Sequence, residues 1–231
     1  MKAELINSMG SDLTVVNAAR VSFDKESEWA HPVFGEDRLK ILWEKDQKLI
    51  SYLAKHNHFT PFTHVTITMR ETVPIFVARQ RFKHMVGFTY NEVSRRYVDD
   101  EPDFYYPEQW RKRAENLKQG SSDEVVSYIR GDVYGGQIKP QYERFIKHCS
   151  EFYKMMIDSG VAPEQARMVL PQSMYTSYYV TGSLAAWARA YRLRSDAHAQ
   201  AEIRELASQW NTIISTLPEL KYSWTALTSM S

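Results

Sequence analysis

Residues 64–82, HVTITMRETVPIFVARQRF, combine the two periodicities from which the fold can be predicted. Apolar and polar side chains alternate at first, with Val65, Ile67 and Met69 on one face, which is typical of a half-buried strand. Pro74 then suits the first position of a helix, which we expect to end at about Phe82. A strand that leads directly into a helix favours a fold that mixes the two.

The remaining sequence predicts several helices and few strands. Predicted strands lie at residues 4–7 and 173–181, and predicted helices at 12–20, 37–56, 140–159, 183–193 and 196–217, with a short helix between Pro163 and Pro171. Residues 99–136 are rich in charge, Pro, Gly and Ser, so we expect a long, partly helical excursion over the surface. Together these elements predict an α+β fold.

Composition limits the function classes that are open to this chain. Its 231 residues suit one domain, which we expect to comprise residues 1–231. A formal net charge of +1 argues against a general nucleic-acid or membrane-surface binder, and no apolar run approaches a membrane span. The single cysteine, Cys149, excludes an intrachain disulfide and predicts a reducing, cytoplasmic location.

The stretch at residues 79–98, RQRFKHMVGFTYNEVSRRYV, is the strongest indication of a binding site. Its cations come in two groups, one before and one after a predicted turn at Gly87, as expected for two walls of a pocket for an anionic ligand such as a nucleotide. A basic surface loop is the simpler alternative. Asn91, Glu92 and Ser94 favour the pocket, because a patch that merely attracts phosphate would not need them.

Further arginines lie towards the C-terminus, at positions 167, 189, 192 and 194. Arg194 directly precedes the helix predicted at 196–217, where the helix dipole would repel a cation. A bound anion between the two would offset that repulsion. An ion pair between Arg194 and Asp196 would explain the position equally well.

Other kinds of site find little support. His56, His58 and His64 lie close together, but no cysteine or nearby carboxylate completes a metal-ligand set, so we predict no metal. Cys149 falls within the apolar stripe of a predicted helix, which is typical of a small buried side chain. Neither a Gly-rich phosphate loop nor a dinucleotide fingerprint is present.

Three blocks of sequence resemble the flavin-dependent thymidylate synthase family. The first comprises residues 58–64 (HFTPFTH), 74–80 (PIFVARQ) and 91–97 (NEVSRRY). The second is residues 163–167 (PEQAR) with 170–171 (LP), and the third is residues 193–200 (LRSDAHAQ) with 202–203 (EI). The blocks stand in the family's order and extend over residues 58–203.

The chain departs from the family's signature, which is Arg-His-Arg followed after seven residues by Ser. We align Lys83-His84-Met85 with the signature, because the apolar lead-in and the Arg79-Gln80 pair normally precede it. Eight residues then separate Met85 from Ser94. Lys83 keeps a cation but loses the bidentate fork of arginine, and Met85 has no charge.

The resemblance implies an α+β fold with mixed helices and a small, mainly antiparallel sheet. It implies methylation of dUMP to dTMP by a homotetramer, with methylenetetrahydrofolate as carbon donor and FAD reduced by NADPH as hydride source. The implied dUMP residues are Gln80, Arg81, Phe82, Lys83, Glu92, Val93, Ser94, Arg95, Arg96, Arg167 and Arg194. The implied FAD residues are His58, Thr60, Lys83, His84, Met85, Glu92, Ser183 and Arg189.

Chemistry agrees with this assignment. Reduction of a uracil ring needs stabilisation of developing negative charge, which a fixed arginine provides, and we predict that Arg194 is this catalytic residue. Ser94 lacks a neighbouring base, so we expect it to position substrate. A non-catalytic nucleotide-binding or regulatory protein is the main alternative, and a basic nucleic-acid-binding module is a second one.

Overall fold

The computed structural model describes residues 1–30, 41–98, 100–115, 120–129 and 136–229. The strands are β1 (Lys2–Met9), β2 (Thr66–Pro74), β3 (Phe88–Glu92), β4 (Arg111–Arg113), β5 (Ser121–Val125) and β6 (Tyr175–Ser183). The α-helices are α1 (Asp12–Arg20), α2 (Glu44–Lys55), α3 (Ile75–Arg81), α4 (Ile138–Asp158), α5 (Pro163–Ala166), α6 (Leu184–Ser195), α7 (Ala201–Ser215) and α8 (Lys221–Thr228). The predicted α+β class is confirmed.

A four-stranded sheet with the order β1-β2-β6-β3 organises the fold. All three pairs of neighbouring strands are antiparallel, as predicted for the main sheet. Strands β4 and β5 form a separate antiparallel pair. Within the described residues, no helix is long and apolar enough to cross a membrane.

The two faces of the sheet differ in polarity, because side chains alternate along each strand. On β2, Ile67, Met69 and Val73 are buried in the core, together with Tyr178 and Val180 of β6. Helices α1, α2, α3, α6, α7 and α8 supply most of the rest of this core. The opposite face carries threonine, serine and arginine side chains, which remain available for a binding site.

Several elements differ from their prediction. The predicted helix at 37–56 begins only at Glu44, after Trp43, and its residues 37–40 lie outside the described part of the chain. Strand β3 was not predicted, and neither was α8. The prediction of a partly helical excursion at 99–136 was wrong for its described part, which contains β4 and β5 and no helix before α4.

Candidate active site

A cleft of about 790 Å³ lies over the polar face of the sheet, where the chain leaves β3. Five arginines line it, together with three carboxylates, several hydroxyl groups and apolar side chains. Its charged lining residues are Arg70, Arg79, Arg95, Arg96, Arg167, Glu92, Asp100 and Asp103. The cleft therefore combines cations with hydrogen-bonding groups, as residues 79–98 predicted.

The sheet positions one side of this cleft. Arg70 points away from the core on β2, and its Nε donates a hydrogen bond to Ser177 Oγ at 3.0 Å. Thr72 Oγ1 donates to the same oxygen at 3.2 Å. Glu92, the last residue of β3, accepts a hydrogen bond from Thr176 at 2.6 Å. Cross-strand contacts thus fix the direction of the polar side chains in the cleft.

The loop after β3 and the α5 region supply the other arginines. Arg95 pairs with Asp100 at 2.6 Å, while Arg96 Nε donates to Ser94 Oγ at 3.3 Å. Arg167 Nε donates to the Glu164 carbonyl at 3.2 Å. Of the five arginines in the cleft, only Arg95 forms an ion pair with a carboxylate among the described residues. The other four guanidinium groups favour an anionic ligand, because none of them is paired directly with a carboxylate among the described residues.

A second cluster of predicted residues surrounds His84, which precedes the first residue of β3. Arg194 Nε donates a hydrogen bond to His84 Nε2 at 2.8 Å, and Arg194 Nη2 donates to the Gln80 carbonyl at 3.4 Å. Arg189 donates to the Val86 carbonyl, and Gln80 donates to Gln200. Helices α3 and α6 are thereby joined at their C-terminal ends.

The His84 ring is held neutral by its surroundings. Burial, followed by the charges of Arg194, Arg81 and Arg189, lowers its pKa from 6.5 to about 4. A neutral imidazole has one unprotonated nitrogen, so His84 Nε2 can accept the hydrogen bond that Arg194 Nε donates. Burial and the charge of Arg81 also lower the pKa of Arg194 from its ordinary value.

The predicted repulsion of Arg194 by a helix dipole was wrong. This residue lies in the last turn of α6, which ends at Ser195, and the dipole there favours a cation. The alternative of an ion pair with Asp196 is not observed either, because Asp196 accepts hydrogen bonds from His198 and Arg194 contacts His84. A bound anion is therefore not needed to explain why an arginine occupies this position.

Arg81, one of the predicted nucleotide residues, lies in the core and not in the cleft. Its side chain has no solvent exposure and pairs with Glu71, which is equally buried. Its guanidinium lies 4.3 to 5.3 Å from the centroids of four aromatic rings. Phe82 does line the cleft, Gln80 belongs to the His84 cluster, and Lys83 is exposed between them.

The predicted flavin residues lie mainly around the His84 cluster and a nearby groove. The groove has a volume of about 170 Å³ and is lined by Leu53, Ala54, Asn57, Phe59, Phe62, Ala185, Arg189, Arg192 and Leu227. His58 and Thr60 flank Phe59 and are exposed. The groove thus combines apolar side chains with two guanidinium groups.

Other predicted flavin residues have different surroundings. Met85 is 74% exposed. Ser183 is the N-cap of α6, since its Oγ accepts a hydrogen bond from the Ala186 amide at 3.2 Å. Glu92 lines the cleft on the sheet, away from Met85 along the chain. The residues implied for FAD therefore lie partly in the cleft and partly at the His84 cluster.

Two predicted absences can be compared with the described residues. Cys149 is buried on α4, and burial raises the pKa of its thiol, so it is a poor nucleophile. It does not line the cleft. Among the described residues, no group of His, Cys, Asp or Glu side chains could hold a metal ion.

Among the cleft residues that sequence reasoning missed are Arg70, Asp103 and Tyr175. Arg70 could have been found, because the alternation of β2 places it on the polar face with Thr66, Thr68 and Thr72. Tyr175 begins β6 and lies opposite Pro74. No local pattern in the sequence brings Asp103 to this place.

Comparison with known proteins identifies the family. The chain matches the family described as thymidylate synthase complementing protein over residues 4–218. It belongs to this family. A flavin-dependent thymidylate synthase from Thermosipho africanus is 37% identical over 206 residues, which cover 88% of this chain and 81% of the relative. Another from Thermotoga neapolitana is 35% identical over 204 residues and covers 88% and 81%.

Solved structures agree with these relatives. The UMP/dUMP methylase PolB from Streptomyces cacaoi, bound with 5-Br dUMP, is 30% identical with a TM-score of 0.73, over 98% of this chain and 94% of that one. The same methylase bound with 5-Br UMP gives a TM-score of 0.75. The predicted family, fold class and enzyme identity are confirmed.

Proposed function

We propose that this enzyme converts dUMP to dTMP, with methylenetetrahydrofolate as carbon donor and FAD reduced by NADPH as hydride source. The observation that carries the proposal is the cleft with four arginines that have no carboxylate partner among the described residues. A nucleotide monophosphate offers the dianion and the ring oxygens that such groups bind. The relatives' names indicate thymidylate synthesis and a flavin.

Residues 92–96 and Arg167 are proposed to bind dUMP in the cleft. Arg96 and Arg167 are both exposed there and supply charge for the phosphate or ring oxygens. Ser94 Oγ, which Arg96 contacts at 3.3 Å, would orient the ligand and not attack it. Arg81 is left out of this set, because its guanidinium is enclosed in the core.

FAD is proposed to bind at the groove beside Phe59 and at the His84 cluster. Arg189 and Arg192 would hold its phosphates, while His58, Thr60, Lys83, His84 and Met85 would surround it. When bound and reduced, it would supply a hydride to the pyrimidine. Arg194 would stabilise the negative charge that develops on the uracil ring during this step.

No cysteine nucleophile is proposed. Attack on a uracil ring by sulfur requires a thiolate, and burial disfavours that charged form of Cys149. Hydride delivery makes a covalent bond between enzyme and substrate unnecessary. A cytoplasmic location and a single catalytic domain at residues 1–231 stay predictions.

A homotetramer with shared sites is proposed, because the residues implied for dUMP and FAD lie in separate places within one chain. The His84 cluster lies before β3 and the cleft after it, and the groove beside Phe59 is smaller than a flavin dinucleotide. A second copy could place its His84 cluster against the cleft and enlarge the groove. Such an arrangement would use both clusters in one site.

Turnover by the purified protein tests the function directly. We expect dTMP from dUMP only when FAD, NADPH and methylenetetrahydrofolate are all present, and UMP should be assayed in parallel because the Streptomyces methylase is named for both nucleotides. A colourless protein that binds dUMP without turnover would contradict the proposal and support a regulatory role instead.

Arginine variants test the cleft. Arg96→Ala and Arg167→Ala should each weaken dUMP binding by about tenfold or more, since a hydrogen bond to a charged group contributes about 1.5–3 kcal/mol. Arg144→Ala is the matched control, because Arg144 is exposed on α4 and does not line the cleft. Equal affinities in all three variants would remove the cleft from the proposal.

Mixing of two impaired variants tests the shared sites. Arg96→Ala and Arg194→Ala change different clusters, so a mixed assembly should contain some sites with both arginines intact. We expect exchange of subunits to raise turnover at low dUMP concentration above that of either variant alone. A tetramer that exchanges subunits without any recovery would show that each site uses one chain only.

A further inference from the structure

A buried polar network lies behind the His84 cluster and is not explained by substrate binding. Arg81 Nε donates to Glu71 Oε2 at 3.2 Å, and Tyr178 donates to the same oxygen at 2.6 Å. Arg81 Nη1 donates to the Tyr90 hydroxyl at 2.8 Å. We call these four residues, Glu71, Arg81, Tyr90 and Tyr178, the Arg81 network.

Stability alone does not account for this network. Replacement of a buried ion pair by apolar side chains of similar volume is often neutral or stabilising, because desolvation offsets the attraction. Arg81 Nη2 moreover has no hydrogen-bond partner among the described residues. The rings of Phe88, Trp187 and Trp210 offset part of the cost by facing the cation. A role beyond packing would explain why a charge is held here.

One branch of the network leads to the surface. The Tyr90 hydroxyl donates to the His84 carbonyl at 2.6 Å, and it also lies 3.3 Å from the Arg81 carbonyl. The turn that carries the His84 ring is therefore fastened to the core at both of its ends. The ring in turn accepts a hydrogen bond from Arg194 Nε at 2.8 Å.

The orientation of Arg194 depends on this chain of contacts. Its Nε is held by His84 and its Nη2 by the Gln80 carbonyl, so the plane of the guanidinium is fixed from two sides. Its Nη1 has no acceptor among the described residues and can face a ligand. Displacement of the His84 turn would release one of the two restraints.

We propose that Arg81 and Tyr90 are positioning residues for Arg194, acting through the His84 turn. The inference rests on the proposed function, in which Arg194 stabilises charge on the pyrimidine. It predicts that a residue without access to substrate controls turnover. Small errors in the placement of a charge-stabilising group lower the rate strongly, because the group must meet charge that develops only in the transition state.

Two tyrosine variants separate positioning from stability. Tyr90→Phe removes the hydroxyl that joins Arg81 to the His84 carbonyl, whereas Tyr178→Phe removes a hydroxyl from the other side of the same ion pair. We expect Tyr90→Phe to lower kcat about tenfold, with KM for dUMP changed less than twofold, which corresponds to the net contribution of about one hydrogen bond. Tyr178→Phe should keep kcat within about twofold, even though both variants lose stability.

A measurement on His84 is independent of turnover. Labelling with ¹⁵N-histidine allows its ring to be titrated by NMR, with His84→Asn identifying the signal. In Tyr90→Phe the pKa of His84 should rise from about 4, because burial, its largest cause, stays while the charge of Arg194, the next cause, is no longer held beside the ring. In Tyr178→Phe it should not move. The cations that face the ring, Arg194, Arg81 and Arg189, stay present in both variants.

The outcomes distinguish this inference from the proposed function. Equal losses of kcat in the two variants, or an unchanged His84 titration in Tyr90→Phe, would overturn the positioning role. Failure of the wild type to form dTMP would overturn the proposed function, while the titration would still report whether the network holds Arg194 beside His84.

Discussion

Removal of either partner of the Glu71–Arg81 ion pair should destabilise the fold, but with different dependence on pH. Both side chains have no solvent exposure, and their nearest atoms are 3.2 Å apart. Breaking a buried pair by deleting one partner costs about 3–5 kcal/mol. The remaining charge decides how that cost responds to pH.

In Arg81→Met, the Glu71 carboxyl can lose its charge by taking up a proton on folding. That uptake costs about 1.4 kcal/mol for each pH unit above about 4.3, so the variant should lose about 1 kcal/mol at pH 5 and about 4 kcal/mol at pH 7. The stability of the variant falls as pH rises, because its folded state binds one proton more than the unfolded chain.

In Glu71→Gln, the remaining charge belongs to Arg81, which keeps its proton at every pH of the assay. Its four aromatic neighbours and the Tyr90 hydroxyl remain in place. We expect a loss of about 3 kcal/mol that changes little between pH 5 and pH 8. The two variants therefore differ more in how the lost free energy of unfolding depends on pH than in how large that loss is.

Urea unfolding at matched protein concentration and at several pH values measures both losses relative to the wild type. Other titrating groups cancel in that difference. Parallel curves for the two variants, or a smaller loss for Arg81→Met at pH 8 than at pH 5, would refute the reasoning.

Three further predictions concern single side chains. Ser11→Ala should lower the free energy of unfolding by about 1 kcal/mol, because Ser11 forms a capping box at the start of α1, and urea unfolding would measure it. Gly182→Ala should cost about 1–3 kcal/mol, because the added Cβ would lie 2.3 Å from atoms of the Phe88 ring; a thermal shift no larger than that of Ser11→Ala would contradict this. In the wild type, the lowered pKa of His84 makes the free energy of unfolding fall as pH falls from 6.5 to about 4. In His84→Asn the free energy of unfolding should fall less over the same pH range.

Local signals were sufficient for elements that are bounded by their own residues. Helix α1 was predicted at its observed limits, because Ser11 caps its first turn. Helix α4 was predicted to within two residues, and Gly160, with a φ of +82°, follows its end. The faces of β2 followed from alternation alone, since Ile67 and Met69 are fully buried.

Elements that depend on distant partners were not predictable in the same way. The β4 residues RKR have no apolar alternation, and Arg111 is held by Glu202 of α7 at 2.7 Å. Strand β3 lies within the basic stretch at residues 79–98, although Phe88 and Tyr90 alternate with polar residues after Gly87. Charge dominated that pattern, so the strand was interpreted as a turn between two walls of a pocket.

A boundary error of two residues changed the chemical interpretation of Arg194. The predicted end of α6 at residue 193 placed Arg194 before the next helix, whereas the helix continues to Ser195. Helix ends are commonly uncertain by one or two residues, and a residue near such an end can change from an unfavourable to a favourable position in the dipole.

The observed β3 also changes what the family signature means in space. In sequence, Lys83-His84-Met85 and Ser94 belong to one motif, but a strand of five residues separates them, which corresponds to about 17 Å at roughly 3.4 Å per residue. One end of β3 carries a neutral histidine that orients an arginine, and the other end opens into the arginine-lined cleft. A small ligand cannot contact both ends of such a strand in the same chain. In the proposed assembly, the spacing of the motif would be the distance between two half-sites, each completed by another copy, and the proposed mechanism therefore involves the assembly as well as the residues.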